Sequence, residues 1–339
     1  MSEECSLWTF LEMHYEAGCL EWRIIMKYIE AFQEGATIND VYLVKHVQQA
    51  LTKSGKPYLT VVLQDRTGTI DGKIWDVGNP GICDFDKMDY LFVNGEVTSF
   101  NGALQLNIKR ARKAEEGMFD PSDYLPITDK DIEEMYTQLL GLVDSVKEVH
   151  LKQLLESFFL DADFKKRFCF HSAAKSVHHG FVGGLLEHTL SVAKICNFYA
   201  QNYPELDRDL LVTAAICHDI GKLSEIAPFP MNDYTDDGQL LGHIIIGSQM
   251  VRDKIREIDG FPQVKANELI HCILSHHGEL EYGSPKKPAI AEAIALSFAD
   301  NIDAKMETFK EAIKSTDDKD MTWQGYNRFL ETNIRRTSK

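Results

Sequence analysis

The chain lacks the features that mark secreted and membrane proteins. Its 339 residues include seven cysteines, an odd number, and no two of them form a C-x-x-C pair. This usage predicts reduced thiols and argues against a disulfide framework or a zinc-thiolate site. No apolar run approaches the length of a membrane span, and the acidic start MSEECS is unlike a secretory signal. We therefore expect a cytoplasmic protein without a membrane partner.

Positive charge is also scarce. The chain has 36 Lys and Arg against 52 Asp and Glu, for a formal net charge of -16. A strongly negative protein has little non-specific affinity for nucleic acid. The deficit is uneven, however, because residues 36–114 hold 10 Lys and Arg against 8 Asp and Glu. A neutral to basic module thus accompanies an acidic remainder.

Residues 1–25 fit poorly with the rest of the chain, since MKYIEAFQEG from Met26 resembles a natural start. They are either a mistaken upstream extension or a short docking helix, and the sequence does not decide between the two. We expect residues 1–35 to form an N-terminal extension and a lead-in helix.

Residues 36–114 alternate in the manner of β-strands. In YLTVVLQD, Leu59, Val61 and Leu63 alternate with the residues between them, and TIDGKIW repeats the pattern. LFVNGEV and ALQLNIKR are two further strands, and Asn101-Gly102 between them is a strong hairpin signal. Five short strands in this stretch predict a small closed barrel, and the proline-bearing residues 115–128 predict a linker.

After residue 128 the hydrophobic period changes from strand to helix. Leu139, Leu142, Val146 and Val149 recur at three- and four-residue steps, and strand signals do not return. Residues 129–335 are therefore predicted to be all-α, with helices to the end. The predicted fold class is multidomain, an N-terminal β-barrel followed by an α-helical bundle.

Nine of the 12 histidines fall between residues 171 and 277. A single histidine on an apolar helix is usually a packed or surface residue, but here five predicted helices each bring an imidazole or a carboxylate. These groups are His188, His218 with Asp219, His243, His276 with His277, and Asp300. Helix bundles build metal sites from such side chains on facing helices. Imidazole and carboxylate donors together suit Mn²⁺, Fe²⁺ or Zn²⁺.

The stretch AICHDIGKLSE places one of these helix ends beside a lysine. A carboxylate such as Asp219 can bridge two metal ions, and two ions about 3.5–4 Å apart activate water and stabilise both oxygens of a phosphoryl displacement. Lys222 then supplies a point charge for a phosphate oxygen. Gly221 is predicted to end the helix. The sequence thus predicts a site where metal and phosphate meet.

Two motifs resemble known families. His188, then His218-Asp219, then Asp300 resemble the H…HD…D signature of the HD phosphohydrolase superfamily, and HDIGK is its common extended form. LVKHVQQALTKSGKPYLTVVLQDRTGTIDGKIWD resembles the N-terminal OB-fold of YhaM-type 3′→5′ exoribonucleases. AAKSVHHGFVGGLLEHTLSVA resembles the entry to their HD domain. The resemblance covers roughly residues 26–335.

The resemblance implies a metal-dependent 3′→5′ exonuclease. Its substrate is single-stranded RNA, with single-stranded DNA as a second candidate, and metal-activated water releases nucleoside 5′-monophosphates. Two divalent ions are implied, Mn²⁺ first, with Fe²⁺, Co²⁺, Zn²⁺ and Mg²⁺ as alternatives. The ligands of the first ion are His188, His218, Asp219 and Asp300, and those of the second are Asp219, His243 and His276. The expected catalytic residues are Asp219, Lys222 and His179, and the expected substrate contacts are Lys222, His178, His179 and His277.

In the barrel, aromatic and basic side chains are candidates for a single-strand groove. They are Tyr58, Lys73, Trp75, Phe100 and Arg110 in the run KRARK. Aromatic residues in strands more often belong to a core, and outward lysines are more often only solvated. Each of these side chains therefore also has a purely structural interpretation.

Two other functions stay open at this point. HD domains also host hydrolases of cyclic dinucleotides, dNTPs and dinucleoside polyphosphates, and a fold alone does not choose among substrates. A barrel has no evident use for such small molecules. The other alternative is a non-catalytic single-strand-binding regulator, although the intact ligand set speaks against a decayed site. The sequence specifies neither the preference for RNA or DNA nor the oligomeric state.

Overall fold

The computed structural model describes residues 26–52, 54–115, 117–120, 123–175, 179–314 and 321–338. The chain divides after Ile127 into two compact units. The predicted extension, residues 1–25, lies outside the described residues. The residues after it form one 3-10 turn, Ile29–Ala31, in place of the predicted lead-in helix.

The first unit is a closed five-stranded barrel. Its strands are β1 (Thr37–Leu51), β2 (Pro57–Asp65), β3 (Gly68–Ile74), β4 (Tyr90–Phe100) and β5 (Ala103–Lys113). They pair in the order β1-β2-β3-β5-β4, and β4 closes the barrel on β1. Only β3 and β5 run parallel. A small five-stranded barrel of this kind is the OB-fold architecture, which confirms the predicted fold of this unit.

The apolar residues that alternate along the strands form the interior of the barrel. Val61 and Leu63 of β2 and Ile70 and Ile74 of β3 are all buried. Successive side chains of a strand point to opposite faces. Val62, Asp71 and Lys73, which alternate with these residues, therefore lie on the outer face of β2 and β3.

The stretch predicted as a linker packs in part on the barrel. Phe119 stacks on Tyr90 of β4 with 4.0 Å between ring centroids, and Tyr124 meets both rings edge-on. Asp123 accepts a hydrogen bond from the Tyr28 hydroxyl at 2.8 Å. Its aromatic residues tie this stretch to the barrel, and the boundary between the units falls only after Ile127.

The second unit contains ten α-helices within the described residues. They are α1 (Ile132–Asp144), α2 (Val149–Phe159), α3 (Ala162–Phe170), α4 (Gly184–Asn202), α5 (Arg208–Cys217), α6 (Lys222–Glu225), α7 (Asp236–Leu240), α8 (Gly242–Glu257), α9 (Gln263–Ser275) and α10 (Ala291–Ile313). Side chains of Asp131, Asp161 and Asp207 accept from first-turn amides and start α1, α3 and α5. One hydrophobic cluster joins every helix except α7.

A helix that crosses a membrane has to be both long and apolar. No helix of the described residues combines the two properties to that degree.

The prediction that helices continue to the end is wrong for the last described segment. Residues 321–338 contain a hairpin of two short strands, β6 (Tyr326–Asn327) and β7 (Thr332–Asn333). The side-chain oxygen of Asn327 accepts from the amides of Phe329 and Leu330 in the turn. Strands of two residues carry no alternating pattern, so hydrophobic periodicity could not predict them.

Candidate metal centre

Donor atoms from three helical segments meet at one buried point. His188 lies on α4, His218 follows the last residue of α5, and Asp300 lies on α10. His188 Nε2 is 3.2 Å from His218 Nε2 and 3.2 Å from Asp300 Oδ1. Asp219 Oδ2 lies 3.3 Å from each of the two imidazole nitrogens. The structure thus brings together the four residues predicted for a first metal ion.

A second group of donors meets the other oxygen of Asp219. Asp219 Oδ1 lies 3.4 Å from His243 Nε2 and 3.7 Å from His276 Nε2. His243 is in the first turn of α8, and His276 follows the last residue of α9. Asp219 therefore directs one carboxylate oxygen to each group, which is the arrangement that a bridging ligand requires.

Hydrogen bonds on the far side of each ring determine which nitrogen faces the centre. Nδ1 of His218 donates to the Ala215 carbonyl at 2.7 Å, and Nδ1 of His276 donates to the Ile273 carbonyl at 2.7 Å. A carbonyl oxygen only accepts, so Nδ1 carries the proton and Nε2 keeps a lone pair. Each Nε2 is therefore prepared to bind a cation.

Two other rings are oriented by carboxylates, those of Asp303 and Glu225, which were not predicted from the sequence. His188 Nδ1 donates to Asp303 Oδ2 at 2.7 Å, and His243 Nδ1 donates to Glu225 Oε1 at 2.8 Å. Such pairs fix the ring and make its other nitrogen more basic toward a metal. The spacing of Asp303 is a usable signal, because it lies three residues, or about one helical turn, after Asp300. Glu225 has no comparable signal in the sequence.

Three atoms of the second group have no hydrogen-bond partner among the described residues. They are Asp219 Oδ1, His243 Nε2 and His276 Nε2, and all three are buried. An unpaired buried polar atom costs about 1–3 kcal/mol, so native proteins nearly always satisfy such atoms. Two donors held at about 2.1 Å from one divalent ion lie about 3.0–3.4 Å apart, close to the spacings here. The residues present therefore fit a divalent metal.

The surroundings of Asp219 and His276 favour the protonation states that metal binding needs. Burial raises the pKa of Asp219, but the Lys222 ammonium and the His218 ring outweigh it and hold the pKa well below its usual range. Lys222 Nζ is 2.7 Å from Asp219 Oδ2. Burial, His277 and His218 together lower the pKa of His276 well below that of a free imidazole. An ionised carboxylate and a neutral imidazole are the metal-binding forms.

A cavity of about 490 Å³ opens onto these donors. Its lining includes His179, His188, Lys222, His277, Tyr282 and Asp300. Sites for small ligands usually have about 300–1,000 Å³. The cavity therefore has room for a nucleotide beside the donor atoms. Tyr282 is a lining residue that was not predicted from the sequence.

The other predicted substrate contacts have different environments. Lys222 begins α6 and reaches the cavity from the Asp219 side. His179 is buried, and its Nε2 lies 3.0 Å from Asp303 Oδ2. The Nδ1 atom of His277 donates to the Tyr282 carbonyl at 2.8 Å. Hence all three line the cavity, each held by a different neighbour.

His178 was predicted as a further substrate contact. It lies outside the described residues.

Gly221 was predicted to end a helix, but α5 already ends at Cys217. The φ of Gly221 is -63°, an ordinary helical value, and Gly221 is the residue directly before α6. A Cβ atom at this position would lie 2.1 Å from the His243 carbonyl oxygen and 2.6 Å from the Gly247 amide nitrogen. Glycine is therefore required because α6 and α8 pack backbone against backbone, and this contact brings His243 to Asp219.

Three of the predicted strand contacts in the barrel unit share one outer face. Tyr58 stacks on Trp75 with 4.9 Å between ring centroids and 25° between planes. Lys73 Nζ lies 5.8 Å from the centre of the Tyr58 ring and donates to Thr60 at 3.0 Å. Trp75 is 46% exposed. The outer face of β2 and β3 thus carries an accessible pair of rings beside an ammonium group.

Arg110 and Phe100 have other neighbours. Arg110 of β5 is opposite Asn94 of β4, and its side chain borders Gly81 in the loop before β4. Phe100 ends β4 at the hairpin and is 65% exposed. The Tyr58–Trp75 pair is therefore the better supported candidate for stacking on bases.

Glu225→Ala is expected to weaken metal binding by the second group of donors. Glu225 accepts from the backbone amide of His243 at 2.9 Å and from its ring at 2.8 Å, so its loss frees the ring to turn. Carboxylates behind a metal ligand are worth about 10–100-fold in metal affinity. Isothermal titration with Mn²⁺ measures this change in metal affinity. Glu225→Gln keeps an acceptor and should lose less; an equal loss in both variants would contradict this orientation mechanism.

A family model described as the HD domain matches residues 185–305. This span contains every residue whose donor atoms meet in the two groups, namely His188, His218, Asp219, His243, His276 and Asp300. The helical unit therefore contains an HD domain, and an HD domain binds divalent metal.

Similarity to a curated protein extends well beyond that span. The 3'-5' exoribonuclease YhaM of Geobacillus sp. (strain WCH70) is 33% identical over 291 residues. These residues make up 85% of this chain and 88% of that protein. The similarity thus includes residues of both units.

Two solved structures resemble 28% of the chain. One is the second OB-fold domain of replication protein A from Methanococcus maripaludis, which is 17% identical and matched over its whole length, with a TM-score of 0.21. The other is a replication protein A heterotrimer bound to ssDNA, which is 16% identical and matched over 70%, with a TM-score of 0.20. The barrel is therefore identified by its own strand pairing and not by these likenesses.

Proposed function

Because the chain belongs to the family of the 3′-5′ exoribonuclease YhaM, we propose that it removes nucleotides from the 3′ end of single-stranded RNA at the metal centre described above. The observation that carries this proposal is the position of Asp219. One of its buried carboxylate oxygens faces the His218 ring, and the other faces the His243 ring. Both groups lie beside a cavity that has room for a nucleotide.

The proposed cofactors are two divalent ions. The first is assigned to His188, His218, Asp219 and Asp300, and the second to Asp219, His243 and His276. Mn²⁺ is the first choice because the resemblance to the exoribonuclease family implies it, and Fe²⁺, Co²⁺, Zn²⁺ and Mg²⁺ are the alternatives. The imidazole donors argue against Mg²⁺, which prefers oxygen ligands. Such ions supply Lewis acidity and lower the pKa of a water molecule.

The protein's own groups would hold the terminal phosphate against these ions. Lys222 is proposed to donate to a phosphate oxygen, since burial opposes its charge but Asp219 outweighs burial and raises its pKa. His179 and His277 are proposed as contacts to the phosphate or to the leaving oxygen, because both line the same cavity. The hydrogen bond between His179 and Asp303 fixes the direction of that ring.

Tyr282 is proposed to hold the terminal base. It lines the cavity, yet it is 65% exposed. Its carbonyl oxygen also fixes the ring of His277 at 2.8 Å. An aromatic ring in this position provides a stacking surface, and stacking on a base is worth about 1–3 kcal/mol.

The barrel unit is proposed to bind the strand away from the reacting end. Bases would stack on the Tyr58–Trp75 pair, and Lys73 would neutralise a phosphate beside it. Single-stranded DNA is a second candidate ligand, because stacking does not involve the sugar. A hydrolase of small nucleotides has no use for such a surface.

A cytoplasmic location is also proposed. It is supported by the free thiols of the cysteines that the structure describes, Cys83, Cys169, Cys196, Cys217 and Cys272. Unpaired cysteines are typical of reducing compartments.

The test is incubation of 5′-labelled single-stranded RNA and DNA with the protein and Mn²⁺, with and without a chelator. The expected result is a ladder that shortens from the 3′ end, releases 5′-monophosphates and stops with chelator. Intact oligonucleotides together with hydrolysis of a cyclic dinucleotide or a dNTP would establish the small-molecule alternative. A bound strand that never shortens would identify a binding regulator.

A further inference from the structure

The hairpin of residues 321–338, hereafter the C-terminal hairpin, exposes aromatic side chains that neither the metal centre nor the barrel uses. Trp323, Tyr326 and Phe329 are 64%, 68% and 48% exposed. Single apolar residues are common on a surface, but three large exposed rings within seven residues of the chain mark a candidate interaction site. The charge around these rings indicates which kind of partner they fit.

Positive charge accompanies these rings. The hairpin contains Arg328, Arg335 and Arg336 against a single acidic residue, Glu331. The guanidinium carbon of Arg335 lies 5.4 Å from the Trp323 ring centre, and that of Arg328 lies 5.2 Å from Phe329.

Neither Arg328 nor Arg335 forms an ion pair with a carboxylate of the described residues. The chain as a whole has a net charge of -16. Two arginines without a carboxylate partner among the described residues are positive groups that can bind a polyanion.

The hairpin is attached to the helical unit by other residues. Within the hairpin, the Gln324 amide donates to the Ile334 carbonyl at 2.9 Å, and the Ile334 side chain is buried. Arg336 donates to the carbonyl of Ile313 at the end of α10 at 2.8 Å. The backbone is thus held from one side while the rings face solvent. A partner would therefore meet a surface that is already arranged, and less ordering lowers the free-energy cost of binding.

We propose that the C-terminal hairpin is a second binding surface for single-stranded RNA, outside both the metal centre and the barrel. This inference rests on the proposed function, because RNA is the substrate there. Nucleic-acid bases stack on aromatic faces, and an arginine beside the ring binds the phosphate that follows the base. A second copy of this acidic chain is the competing polyanion. Its folded surface offers carboxylates, but it has no row of flat bases that can stack on the rings. Three rings within seven residues therefore favour RNA.

The test measures RNA binding by the full-length protein, with a chelator present to stop turnover. Fluorescence anisotropy of a labelled single-stranded RNA gives the affinity over a range of salt concentrations. Trp323→Ala is expected to weaken binding about 5- to 150-fold, the effect of losing one stacked base. The double variant Arg328→Gln and Arg335→Gln should reduce the slope of log affinity against log salt by about 1.4, since each phosphate contact in a single strand contributes about 0.7.

Matched controls separate the proposal from a general loss of aromatic or positive surface. Phe198→Ala removes a ring on α4 that is 59% exposed. Arg256→Gln removes an exposed arginine on α8. Both should retain wild-type affinity and salt slope. Trp323→Phe keeps a ring, so it should restore most of the affinity lost in the alanine variant and exclude misfolding as the cause.

Two outcomes would overturn the proposal while leaving the proposed function intact. One is wild-type affinity and salt slope in both the Trp323→Ala and the double arginine variants. The other is unchanged RNA affinity with a lower sedimentation mass, which would show that a second copy of the chain covers the hairpin. Failure of the wild-type protein to shorten RNA would instead refute the proposed function.

Discussion

Asp219→Asn is expected to abolish RNA turnover and to leave the RNA bound. Asp219 Oδ2 lies 3.3 Å from His188 Nε2, and Asp219 Oδ1 lies 3.4 Å from His243 Nε2, so one side chain joins the two donor groups. An amide of the same shape has no negative charge, and its nitrogen cannot bind a cation. We expect turnover to fall by about 10³-fold or more, equivalent to about 4 kcal/mol of transition-state stabilisation.

The measurement is the rate of shortening of 5′-labelled RNA with saturating Mn²⁺, together with RNA affinity in the presence of a chelator. Asp253→Asn makes the same chemical change on the exposed face of α8, and it should leave the rate unchanged. Because Asp219→Asn deprives Lys222 of its carboxylate partner, thermal unfolding is used to verify that the variant is folded. More than a tenth of the wild-type rate in a folded Asp219→Asn protein would refute a bridging function for this residue.

Gly221→Ala is expected to separate His243 from Asp219 and to lower the amount of metal that the protein binds. The added Cβ would lie 2.1 Å and 2.6 Å from backbone atoms of α8, and backbone atoms cannot rotate away as a flexible side chain can. The helices must move apart, and overpacking of this kind costs about 1–3 kcal/mol. For a unit of this size that free energy lowers Tm by about 2–12 °C. Calorimetry and the Mn²⁺ content per chain measure the two effects.

Gly141→Ala is the matched control for this substitution. Gly141 lies inside α1, and a Cβ atom there would have nothing within 4 Å. Alanine is the better helix former, so this variant should gain about 0.5–1 kcal/mol and keep its metal content. Glycine to alanine is therefore expected to lower the free energy of unfolding at position 221 and to raise it at position 141. A gain in stability at both would show that the contact between α6 and α8 tolerates a side chain.

The barrel could be predicted because its signal is local. Val61 and Leu63 occupy every second position of β2. Because successive side chains of a strand point to opposite faces, these two residues lie on the same, inner face. The HD motif could be predicted for a similar reason, since His218 and Asp219 are adjacent and Lys222 follows within one turn. Such patterns need no knowledge of what packs against them.

Other features had no local signal. Glu225 orients His243 from 18 residues away, and nothing in the spacing distinguishes it from a solvated carboxylate. In the sequence, Gly221 looks like a residue that ends a helix. It is glycine because the backbone of α8 leaves no room for a Cβ atom. The C-terminal hairpin has strands too short for any period. Each of these depends on a partner that is distant along the chain.

The order of chemical groups along the chain was sufficient to predict a barrel, a helical bundle and a set of metal-binding side chains. It left open how those groups pair. The fold determines that Asp219 divides its oxygens between two imidazole groups and that carbonyls and carboxylates turn each Nε2 inward. The physical reason is that residue type and hydrophobic period can be read from residues that are close in the sequence. Whether two donor atoms face each other depends on how helices that are far apart in the sequence pack together.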